Sequence, residues 1–149
     1  MLLITLLGSC TKIDLFEKQV SIPDQQWFYR NQPQFAFDIT DTTSLYNIYV
    51  ILRHTDGYEY NNIWLRLGST APGDTTRYQN INLSLATDLK GWDGSGMDDI
   101  FEVRKIITPG PVPIKKPGTY TFTVEQIMRE NPLKHILSVG LRVEKVGHP

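Results

Sequence analysis

The chain has 149 residues, 21% of them charged and 40% hydrophobic, and a formal net charge of −1 at neutral pH. This length gives room for one domain with a sizeable core, and the composition excludes disorder as the main state. Near-neutral charge without a basic block removes the electrostatic footprint that phosphate recognition requires, so nucleic acid is excluded as a partner.

The N-terminal stretch MLLITLLGSC places an apolar run before Gly8, Ser9 and Cys10, and Cys10 is the only cysteine. One cysteine cannot close an internal disulfide. The alternatives are a small buried hydrophobe or a modified residue, and the context favours the second. An apolar segment closing on small residues has the form of an export signal. A cysteine directly after that small pair resembles the bacterial lipobox, whose cysteine receives diacylglycerol and becomes the first mature residue.

Residues 1–9 are therefore expected to be a lipoprotein signal peptide, with Cys10 as the lipid attachment residue. No basic residue precedes the run, and the run is short, so a true start upstream of Met1 is the simplest expectation. No later stretch approaches the roughly 20 apolar residues of a spanning helix. Membrane attachment then rests on N-terminal acyl chains, each buried CH2 contributing about 0.8 kcal/mol. Residues 10–33 read as a tether and lead-in, and residues 34–149 as one domain.

From Gln34 the pattern has period two, the signature of half-buried strands. Phe35, Phe37 and Ile39 alternate with Ala36 and Asp38, and Tyr46, Ile48, Val50 and Leu52 share a face. Ile63, Leu65 and Leu67 oppose Trp64 and Arg66; Ile81, Leu83 and Leu85 follow. Asp56-Gly57 and Pro72-Gly73 supply turns between these runs. The segment IFEVRKII predicts a strand whose alternation slips near Lys105, at a bulge. Lys116-Pro117-Gly118 predicts a turn leading into Tyr120, Phe122 and Val124 on one face, with threonines on the other. A short helical turn is expected within 125–130, stopped by Asn131-Pro132, and Leu137, Val139, Leu141 and Val143 mark the last strand. About seven or eight strands without a long helical period predict an all-β antiparallel sandwich, jelly-roll or immunoglobulin-like.

No catalytic constellation accompanies this pattern. His54, His135 and His148 lack ligand spacing, and His54 is expected to cap a strand or meet solvent. The loop GWDGSGMDDIFE offers Asp93, Asp98 and Asp99 as candidate oxygen ligands for a hard cation, although it departs from the EF-hand pattern. The alternative is a glycine-rich hairpin with solvated carboxylates. Trp27, Phe28 and Tyr29 form one aromatic group, and Tyr58, Tyr60, Trp64 and Trp92 are candidate binding residues. Such rings either fill core and edge positions or stack on sugars and anchor protein interfaces. No cofactor is expected.

Several stretches in order, LLGSC, FEKQVSIPDQQW, FAFDITDTTSLYNIYVILRH, DGYEYNNIWLRL, KGWDGSGMDDI, KPGTYTFTVEQIMRENPL and VGLRVEK, together resemble the gliding motility lipoprotein GldH family of Bacteroidetes. The resemblance covers nearly the whole mature chain. It implies an exported, lipid-anchored lipoprotein of the cell envelope, in the outer membrane, with Cys10 acylated. Its implied partners are envelope proteins of the gliding apparatus and the linked type IX secretion machinery, and it carries over no catalytic residue. The expected role is a non-catalytic subunit acting through protein contacts. The alternative is a glycan-binding lipoprotein that uses Trp92, Trp64 or the Tyr58-Tyr60 pair as a stacking platform.

Overall fold

The computed structural model describes residues 13–147; Cys10, the signal-like segment and His148 lie outside the described residues. In chain order the strands are β1 (Ile13–Ser21), β2 (Gln26–Trp27), β3 (Gln34–Ile39), β4 (Leu45–Thr55), β5 (Asn62–Thr70), β6 (Arg77–Ser84) and β7 (Ala86–Thr87). There follow β8 (Gly91–Trp92), β9 (Ser95–Met97), β10 (Ile100–Ile106), β11 (Val112–Pro113), β12 (Gly118–Gln126), β13 (Leu133–Lys134) and β14 (Ile136–Lys145). Eight of these carry the architecture; the others are short pairings at its margins.

Two antiparallel sheets face each other. One runs β1-β14-β4-β10-β9 with β11 added beside β4, and the other runs β3-β12-β5-β6. The inner faces follow from the alternation: Ile48, Val50, Leu52, Val103, Val139, Leu141 and Val143 on the first sheet, Phe35, Phe37, Ile39, Ile63, Leu65, Leu67 and Val124 on the second. Phe16 of β1 meets Phe37 of β3 at 5.7 Å between ring centroids, which fixes one edge of the first sheet over one edge of the second. Burying these side chains contributes about 1.5–3 kcal/mol each against leaving them in water.

The lead-in expected over residues 10–33 is, from Ile13 on, part of the fold. β1 pairs with β14 along its length, Glu17 opposite Arg142 and Val20 opposite Val139. Trp27 is fully buried and its indole Nε1 donates to the Asn31 carbonyl at 2.7 Å. β1 is hard to read because Lys18 occupies an inward position on an edge strand, and a register shift between Asp14 and Phe16 breaks the alternation.

Three smaller expectations change. β10 pairs with β4 in unbroken register through Lys105. The slip in the pattern is a lysine at an inward position, where its Nζ reaches Asp93 at 2.8 Å. No helical turn follows Glu125, because β12 continues to Gln126 and a bend leads from it to the cis Asn131-Pro132 bond. Among the described residues, the one short 3-10 turn lies at Pro23–Gln25. Gly118 opens β12 at φ +131 beneath the Pro72 ring, a position a side chain could not share.

The strand registers define two poles. Ile13 and Lys145, Ile39 and Gly118, Leu45, Thr70, Arg77 and Ile106 lie at one end of the sandwich. Ser21, Gln34, Thr55, Asn62, Ser84 and Ile100 lie at the other. The nine residues of β5 separate the poles by about 30 Å. At the first pole Asp41 accepts from Thr43 and Ser44 and pairs with Lys145. The Lys145 ammonium, foremost, holds its carboxyl well below the usual carboxylate range.

Candidate functional site

The four aromatic candidates divide into two groups. Tyr58 and Trp92 point inward and build a cluster around His54 at the second pole. His54 continues the inward alternation of β4, two residues after Leu52, and is fully buried, contrary to the expectation of a cap or solvent contact. Trp92 meets it edge-on at 4.6 Å, Tyr58 lies at 5.6 Å and Phe101 at 5.8 Å between centroids. Tyr58 donates its hydroxyl to the Asn62 carbonyl at 2.8 Å, and burial pushes its pKa upward. These rings pack on one another, with Tyr58 buried and Trp92 half-buried.

Tyr60 and Trp64 belong to the surface. Asn62, Trp64 and Arg66 project from the outer face of β5, and register places Asn82 beside Trp64, Asn80 beside Arg66 and Tyr78 beside Gly68. An open groove of about 500 Å³ is lined by Tyr60, Asn62, Trp64, Ile127, Met128 and Arg129. It continues past Ile127 to Arg66, Tyr78 and Asn80. Trp64 is 43% exposed and Tyr78 60%, and four strand residues separate their rows, a span of about 13 Å.

The Tyr60 and Tyr78 rings are held by side-chain contacts, and Trp64 is tied through its backbone. Tyr60 donates to the Glu130 carboxylate at 3.0 Å, a bond that raises its pKa. The Met128 sulfur accepts the Trp64 backbone N–H at 3.2 Å. The Arg66 guanidinium lies 4.4 Å from the Tyr78 ring centroid, and the Asn62 amide donates to Asn82 at 2.8 Å. Tyr78 was absent from the sequence candidates. The Pro-Gly turn between β5 and β6 carries the signal, since the hairpin register it imposes brings Tyr78 onto the face of Trp64.

The three candidate cation ligands do not converge. Asp93 is committed to Lys105, while Asp98 and Asp99, at φ 51 and 65, are the two-residue turn between β9 and β10. Two positive-φ residues there match the twist of a tight hairpin, which the short polar aspartates tolerate. Among the described residues no group of three or more His, Cys, Asp or Glu side chains is placed to hold a metal ion. His135 packs its ring over Gly57, so both described histidines serve structure.

A chain in the crystal structure of the infectious bursal disease virus VP2 subviral particle overlaps 92% of this chain and 32% of its own length at a TM-score of 0.38 and 14% identity. A gliding motility lipoprotein GldH from Flavobacterium johnsoniae is 27% identical over 147 residues, covering 94% of this chain and 90% of its own. A gliding motility lipoprotein GldH homolog from Christiangramia forsetii is 26% identical over 149 residues, covering 95% and 90%. The sequence profile described as GldH lipoprotein matches residues 14–143, from the first strand to the last. The chain belongs to the GldH lipoprotein family.

Proposed function

We propose that this protein is a lipoprotein held in the outer membrane through acylated Cys10, serving the gliding-motility and type IX secretion machinery as a non-catalytic, protein-binding subunit. The observation that carries the reading is the outer face of β5 and β6. Tyr60, Trp64 and Tyr78 form an exposed aromatic strip, with Met128 and Ile127 lining the groove between them. Surface aromatics of this kind are enriched among interface anchors. Family membership and the names of the relatives support the assignment to gliding.

The test is chemical crosslinking and affinity capture from native membranes, with Trp64→Ala/Tyr78→Ala and Cys10→Ala as separate variants. Recovery of gliding or secretion components that is lost in the double variant supports the reading. Unchanged recovery in that variant rejects the strip as the contact.

The amides favour a second reading. Asn62, Asn80 and Asn82 sit among the exposed rings, and this mixture also suits sugar hydroxyls stacked on an aromatic face. Retention of polysaccharide instead of protein by the captured lipoprotein would establish it.

A further inference from the structure

We infer that the pole at which β1 begins rests on the bilayer, with Arg77, Lys115 and Lys116 contacting anionic lipid headgroups. This deepens the proposed function and rests on acylation of Cys10. The first argument is length. Cys10 stands three residues before Ile13, where β1 starts. Three residues span at most about 11 Å, whatever their conformation. An anchor on Cys10 therefore holds the start of β1 within about 11 Å of the headgroups, less than half the length of the sandwich.

Such a short tether permits the pole, the outer face of the first sheet, or the β1 edge to meet the membrane. Charge separates them. On the outer face, Glu17 pairs with Arg104 at 3.3 Å and Arg142 at 3.4 Å, and Gln19 donates to Glu102 at 3.2 Å. With the exposed Arg53 and with Glu144, this face carries three arginines and three glutamates among the described side chains and sums to zero charge. The β1 edge presents Glu17 beside the exposed Lys18, so it carries no net charge of its own.

The pole differs. A cleft of about 700 Å³ lies between the Ala71–Asp74 turn and the proline-rich segment that carries Ile114, Lys115 and Lys116. Both lysines are exposed, and neither forms an ion pair among the described residues. Arg77 has its side chain 81% exposed, with Asp74 at 3.9 Å, a pairing too exposed to neutralise it. Pro113 and Ile114 line the same cleft, giving basic heads above short apolar surface, which suits a headgroup layer. Register places Arg77 three strands across the second sheet from β3, over which β1 lies. Arg77 is thus displaced about 14 Å across the sheet from the anchored corner, on the same pole and one sheet spacing of about 10 Å away.

Because Cys10 is the sole cysteine, an introduced thiol is the only one left for labelling once it is acylated. The lipidated protein, with Thr75→Cys at this pole or Glu59→Cys at the other, carries a donor fluorophore into vesicles of phosphatidylcholine with one quarter phosphatidylglycerol and a headgroup acceptor. Energy transfer from position 75 is expected to exceed that from position 59 several-fold. Arg77→Gln/Lys115→Gln/Lys116→Gln is expected to shrink that difference.

A lipidated, vesicle-bound protein with equal transfer from both positions overturns the orientation while leaving the anchor intact. An unchanged difference in the triple variant rejects the basic cleft as the contact. Absence of acyl mass on Cys10 removes the anchor and the orientation together.

Discussion

Burying His54 at the end of β4 takes the imidazole out of water and leaves Nε2 without a hydrogen-bond partner among the described residues. Its Nδ1 lies 2.8 Å from the Thr55 carbonyl, so Nδ1 carries the proton in the neutral ring. Burial, the larger effect, lowers its pKa from the usual 6.5. Below pH 6.5 the unfolded chain therefore binds a proton that the folded chain refuses, and stability falls as pH drops toward the depressed value. Urea unfolding midpoints measured from pH 7.5 to 5 are expected to decline in the native protein and to decline less in His54→Phe. An identical slope in both would show that His54 does not titrate on unfolding. Trp64 makes the opposite case: Trp64→Ala is expected to shift stability by no more than about 1 kcal/mol, because the ring is half exposed on an outer face. Chemical denaturation of the purified variant measures it.

Among the elements, β3 and β12 set the core of the second sheet. Phe35 is 1% exposed, and Phe35→Ala is expected to cost about 3–5 kcal/mol. Phe122 pairs with Phe35 across the ladder and stacks on Phe37 at 5.8 Å, but it is only partly buried. Phe122→Ala should cost less, roughly 1–3 kcal/mol. Equal losses would contradict this difference in burial. The period of two made β3, β4, β5, β12 and β14 legible in the sequence, because each presents a continuous apolar face to the opposite sheet. β1 was not legible, since an edge strand tolerates Glu17 and Lys18 and its bulge shifts the phase. His54 was misjudged through its polarity, although its spacing from Leu52 already placed it inward. Of the binding candidates, Trp64 and Tyr60 were legible and Tyr58 and Trp92 were not separable from them, because loop geometry decides which rings turn inward.

At the scale of the whole molecule, the fold gives the two poles different surroundings: proline and exposed basic side chains where β1 begins, aromatic and amide groups toward the other end of β5. Cys10→Ala is expected to release the protein from membranes while leaving its circular dichroism spectrum and unfolding midpoint unchanged, since Cys10 precedes the first strand. Fractionation followed by thermal unfolding measures both; continued membrane association would assign attachment to something other than acyl chains. The pairing of β1 with β14 has a mechanical meaning in this arrangement. Tension between a lipid at the start of β1 and a partner near the far pole runs parallel to the strands, so the hydrogen bonds from Ile13–Lys145 to Ser21–Ser138 lie across the load. They are stressed together in shear, not peeled one at a time, and a strand loaded in that geometry resists extraction far better than one pulled from its side.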